Sequence, residues 1–198
     1  MKILAAFALY LCITTAQADS FYDADADAAY YKGDYATALR ILRPLAEQGY
    51  ASAQFNLGVM YNKGQGIPQD YAEALKWHRL AAEQGYASAQ FGLAIMYEEG
   101  KGTPQDYAKA VKLYLLLAEQ GNARAQVNLG FMYGNGHGVL QDYVEAHKWF
   151  NLAASRHTEE EDRNRAIENR DIVANEMTTA QVAEAQKLAK QWDKSHPR

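Results

Sequence analysis

The residues able to do chemistry are few and scattered. The histidines are His78, His137, His147, His157 and His196, and none forms a pair at helical metal-ligand spacing with a supporting acid. The sequence therefore offers no metal site and no cofactor site. His147 stands at a position that elsewhere in the chain carries Leu75 and Val111, which predicts a hydrogen-bonded histidine near a core. Ser52 and Ser88 open Ser-Ala-Gln-Phe stretches and lack the lysine three residues on that an activated Ser-x-x-Lys nucleophile needs. The single cysteine, Cys12, lies in the first apolar run. The turns Gly64-x-Gly66 lack both a preceding strand and the third glycine of a dinucleotide cradle. No catalytic residue is assigned.

What must position any functional side chain is a repeat. The stretch Ala46 to Ala81 returns from Ala82 and again from Ala118, at a spacing of 36 residues without insertion or deletion. Without gaps, the second and third copies each match the first at 23 of 36 positions, so an array of stacked supersecondary units is the only economical reading. Each unit reads as two helices. In the first copy Ala53, Leu57 and Tyr61 share one face of a helix from Ala51 to about Asn62, and Gly64 stops it. Gly66, Pro68 and Asp70 form a turn, with Asp70 capping the second helix and Glu73 placed to complete a capping box. Small residues at Ala53, Gly58 and Ala74 recur one and two periods later and let helices approach closely, while Tyr61, Tyr97 and Tyr133 fill the space between them.

The pattern Ala-x-Ala-Gln-x-x-Leu-Gly-x-x-Tyr-x-x-Gly at Ala51 to Gly64, followed by Gly66 and Asp70-Tyr71-x-x-Ala74, resembles the Sel1-like repeat family, a relative of the tetratricopeptide repeat. It recurs at Ala87 to Gly100 and at Ala123 to Gly136, with Ala94 in place of Gly58 and Leu140 in place of Pro68. The resemblance covers roughly residues 20 to 156. It implies an all-α, right-handed solenoid of antiparallel helix pairs, with repeats at 49–84, 85–120 and 121–156. Residues 19–48 read as an atypical capping repeat, and 157–198 as C-terminal capping helices. The run Asp23, Asp25, Asp27 belongs to that first cap, since it lacks the glycine and terminal Glu of a Ca²⁺ loop. Thr158 with Glu161, and Thr178 with Gln181, mark two helix starts beyond the repeats. The segment Gln181 to Trp192 either covers the end of the stack or swings into its groove.

Residues 1–18 have the form of a signal peptide: Lys2, the apolar run Ile3 to Thr14, and Ala16-Gln17-Ala18 as a small-x-small cleavage site. An exported protein is expected, periplasmic or alternatively secreted, with no integral membrane segment after cleavage. Loss of Lys2 leaves 19 basic against 24 acidic residues, a formal charge of −5, which speaks against a nucleic-acid partner. Cleavage also removes Cys12, so this chain differs from the cysteine-rich exported relatives whose helix pairs are stapled by disulfides.

In the superhelix that the resemblance implies, first helices line a concave face. That places Phe55, Val59 and Lys63, then Phe91, Ile95, Glu98 and Glu99, then Arg124, Val127 and Phe131 along a groove, with Ser52, Asn62, Ser88, Gly134 and Asn135 beside them. The centre of this set is apolar and its edges are charged, the form of a docking surface for a protein or peptide. Tyr50 and Tyr86, one period apart, stand where a small polar cap such as Asn122 is usual; they form either a contact ridge or packing against neighbouring turns. The expected function is a non-catalytic binding scaffold. The alternatives are a penicillin-binding or β-lactam-hydrolysing activity, by analogy with the cysteine-rich relatives, or a self-association module.

Overall fold

The computed structural model describes residues 25–197, all of them in helices and short connections. The segment read as a signal peptide, and the start of the first cap with Asp23, lie outside the described residues. Helical residues 25–31 (α1) precede α2 (Tyr35–Glu47), α3 (Ala51–Lys63), α4 (Tyr71–Glu83), α5 (Ala87–Glu99), α6 (Tyr107–Glu119), α7 (Ala123–Asn135), α8 (Tyr143–Arg156), α9 (Glu160–Ala174) and α10 (Thr179–Ser195). The fold is all-α. Its contacts form one compact unit up to Ala89 and a second from Gln90, so that α5 begins in one and continues in the other.

The same local chemistry closes the three helix pairs α3–α4, α5–α6 and α7–α8. The first helix ends on a left-handed glycine, Gly64 at φ 67° and Gly136 at φ 70°, a conformation that costs least without a Cβ. The chain then turns, and the backbone N–H of Asp70, Asp106 and Asp142 donates to the carbonyl of Tyr61, Tyr97 and Tyr133 at 2.8–3.0 Å. The preceding glutamines, Gln69, Gln105 and Gln141, donate their side-chain amides to the carbonyls of Asn62, Glu98 and Gly134, satisfying acceptors that the helix end leaves open. The Asp carboxylates cap the second helices from outside: Asp70 accepts from Ala72 and Glu73, Asp142 from Val144 and Glu145.

This geometry corrects one expectation. Glu73 does not complete a capping box, because the Asp70 N–H it would need already serves Tyr61. Its carboxylate instead accepts from the Trp77 indole at 3.1 Å and from Lys76, and Glu145 does the same with Trp149 and Lys148. The C-terminal starts divide likewise. Thr178 and Gln181 form the expected capping box. Thr158 does not cap α9, whose N-cap is Glu159 with no side-chain bond.

In the first unit the core is Ala26, Ala38, Leu42, Ala46, Ala53, Leu57 and Met60, with α3 packed on α2 and α4. In the second, α7 packs on α6 and α8, and α8 in turn carries both α9 and α10. Its largest buried side chains are Met96, Tyr114, Leu117, Leu129, Met132, Trp149, Phe150 and Leu152. Ala166 of α9 seats on Ala153 and Ala154. The end of α10 is held by Trp192, which meets Trp149 edge-on, lies beneath Arg156, and donates its indole N–H to Glu119 at 2.8 Å. So α10 covers α8, and the alternative in which it swings into a groove does not describe this structure.

A buried glutamine ties successive units of the repeat. Gln54 donates to the carbonyl of Ala46 at 3.2 Å and Gln126 to that of Ala118 at 3.1 Å, each reaching back to the end of the preceding helix. At these two positions the Gln of the Ala-x-Ala-Gln pattern is thus an internal link, a role that its spacing alone did not reveal.

Candidate functional site

Two neighbouring hollows in the second unit, of about 620 and 300 Å³, share Phe131 and Asn169 and so form one groove. Its floor is Phe91, Ile95, Val127 and Phe131, from α5 and α7, and its other wall is α9, through His157, Asp162, Arg165, Asn169, Ile172 and Val173. Arg124 stands at one end, and Gly134, Asn135 and Glu176 at the other. Four of the apolar residues expected to share a surface are therefore brought together. The wall from α9 was not foreseen, because its sequence carries neither the 36-residue period nor a strong apolar face.

The floor rests on two rings one period apart, Tyr114 and Phe150, and His78 holds the corresponding position in the first unit. Phe91 meets Tyr114 at a centroid distance of 5.7 Å, and Phe131 meets Phe150 edge-on at 5.1 Å. In the first unit Phe55 leans on His78 at 5.4 Å and on Tyr86 at 5.5 Å, with Val59 half-buried along the same helix. Aromatic pairs of this geometry hold each other in place. Phe131 keeps 43% of its surface exposed and Ile172 keeps 64%, a large apolar area for a solvated wall.

The charged residues expected at the rim mostly have internal work. Lys63 donates to the Tyr30 hydroxyl and lies over that ring. Glu98 accepts the Tyr114 hydroxyl at 2.6 Å, and Glu99 pairs with Lys101 at 2.7 Å. Burial and the Glu98 charge push the Tyr114 phenol far above its ordinary range, so it stays a donor. Arg124 differs: its guanidinium lies over Phe91 at 5.0 Å, and among the described residues no carboxylate reaches it.

Other expectations are corrected by burial. Ser52 faces inward rather than into a groove and is nearly enclosed, its hydroxyl without a partner. Tyr50 packs against the core of the first unit, and Tyr86 against Phe55, which is the packing alternative. His147 is buried as expected, but its Nδ1 has no hydrogen-bond partner. Desolvation, aided by Arg170, lowers its pKa. His78 is also buried, and burial pushes it down to about 4. Both imidazoles are neutral at pH 7. Among the described residues no group of three or more His, Cys, Asp or Glu could hold a metal ion, and no helix is long and apolar enough to cross a membrane.

Comparison with known proteins places this architecture. A crystal structure of a Sel1 repeat protein from Oxalobacter formigenes superposes with a TM-score of 0.65 at 34% identity, covering 73% of this chain and 56% of that one. The structure of c5321, a protective antigen present in uropathogenic Escherichia coli strains and displaying an SLR fold, gives 0.72 at 31%, covering 96% of this chain and 43% of that one. The chain thus spans about half the length of these structures. No curated protein sequence matches it. Proteins with such repeats are in general non-catalytic scaffolds for protein–protein interaction. The Sel1 repeat model matches residues 51–86, 87–122 and 123–157, more than half of the 198 residues, and the chain belongs to the Sel1 repeat family.

Proposed function

We propose that this protein is a non-catalytic scaffold of the cell envelope that docks a peptide segment of a protein partner in the groove between α7 and α9. The observation that carries this reading is the groove itself: an apolar floor from two successive first helices, walled by α9 and fringed by amides and charges. Such a surface gives affinity through apolar burial and register through its polar edge. The family's general role as an interaction scaffold supports the same class of function. Export to the periplasm is part of the proposal and rests on the form of residues 1–18.

The test is capture from an envelope extract by the purified chain beside its Phe91→Glu/Phe131→Glu variant. A partner retained by the parent, lost with the variant, and bound again when the two purified proteins are mixed supports the reading. Equal capture by a folded variant contradicts it. Localisation is tested separately by fractionating cells that express the full chain, where recovery with the cytoplasmic fraction would refute export.

A further inference from the structure

The charges around the groove are unevenly satisfied. Asp162 pairs with Arg165 and lies 4.0 Å from His157, while Arg165 also pairs with Glu161. Arg124 has the Phe91 ring as its contact and no carboxylate partner among the described residues, and it stands exposed at the edge of the apolar floor. Its position in the first turn of α7 adds the positive end of that helix. At the far end the character reverses. Glu176 borders the smaller hollow and has no cationic partner among the described residues, and the wall beside it is apolar, through Phe131 and Ile172. Gly134 stands there in place of Asn62 and Glu98, which leaves room over α7 for a large side chain.

We propose that the groove is directional: it takes an extended peptide segment that sets a carboxylate against Arg124 and a bulky apolar side chain between Phe131 and Ile172. This rests on the scaffold reading above and names the chemistry of the partner. Arg124 and Phe131 are seven residues apart on one helix, roughly 10 Å at the helical rise. About three extended residues span that distance. The acid and the apolar anchor therefore stand three or four positions apart. A carboxylate at the opposite end would face Glu176, so the reversed sequence is disfavoured. A planar guanidinium held over an aromatic ring is suited to a two-point bond with a carboxylate.

A random seven-residue peptide library displayed on phage, selected in parallel on the purified full chain and on Arg124→Glu, tests this, with enriched peptides resynthesised for affinity measurement. The expected result on the parent is enrichment of Asp or Glu three or four positions from a bulky apolar residue, in one order. Those peptides bind Arg124→Glu at least tenfold more weakly, and that variant enriches Lys or Arg in the acidic place. Circular dichroism checks that the exposed substitution leaves the fold intact. Peptides that lose binding to Phe91→Glu/Phe131→Glu yet bind Arg124→Glu as well as the parent would overturn the proposal and leave the scaffold reading standing. Peptides indifferent to all three changes, or no enrichment at all, would overturn both. Concentration-dependent self-association abolished by Arg124→Glu would put a second copy in the groove and overturn the peptide assignment.

Discussion

Two buried contacts decide how single residues behave. A Cβ on Gly130 would lie 2.8–2.9 Å from the Phe150 ring, which is itself enclosed, whereas on Gly58 it would lie 3.3 Å from His78 and from the Ala74 carbonyl. Alanine in a helix interior gains up to about 1 kcal/mol over glycine. Gly58→Ala should therefore be close to neutral, as Ala94 is at the same place in the next repeat. Gly130→Ala should cost about 1–2 kcal/mol net through overpacking, read as a lower urea midpoint. His78 supplies a pH dependence. Its folded pKa is depressed to about 4 from an unfolded value near 6.5, so the unfolded chain takes the proton first. Stability is fully present above pH 6.5 and is lost as pH falls toward 4, by at most about 3 kcal/mol. His78→Phe, which copies the Gly130–Phe150 pairing, should flatten the urea midpoint between pH 7.5 and 5. A residual slope from His147 remains, because burial lowers that group too. An unchanged slope would mean that His78 is not the group responsible.

At the scale of elements, helix limits were legible because the residues that make them are local: Gly64 at the stop, Asp70 at the cap, Thr178 with Gln181. What could not be read was any bond to a distant residue. Lys63 looked like a rim charge, but its partner Tyr30 is 33 positions earlier; Glu98 looked free, but Tyr114 is 16 positions later. The wall from α9 was hidden for a related reason. It contributes to the groove through packing on α8, which no periodicity announces. The attachment of α10 was half legible: Trp192 lay on its apolar face, but the Glu119 acceptor lies 73 positions away. Trp192→Ala removes both the indole bond and the packing on Trp149. It should loosen α10 by about 3–5 kcal/mol, seen as faster hydrogen exchange across Thr179–Ser195 with exchange in α3 unchanged. Uniformly faster exchange through both helices would instead mark a cooperative loss.

For the whole molecule, the repeat decides the fold class and the departures from the repeat decide the site. The aspartate turns recur in all three copies and the glutamine links stand at Gln54 and Gln126, and they serve stacking. Gly134, Arg124 and the exposed Ile172 do not recur, and they lie where the groove is. Function on such a scaffold is carried by what each repeat does differently on the surface that all repeats share.

The central claim is that a partner occupies this groove, and site-specific photo-crosslinking tests it most directly. A photoreactive phenylalanine analogue placed at position 131, on the groove floor, is compared in cells with the same analogue at position 140, where Leu140 is 90% exposed and lines neither hollow. The account predicts a discrete adduct from position 131, absent from position 140 and suppressed by Arg124→Glu. Equal labelling from both positions, or none from position 131 in a folded protein, would contradict it.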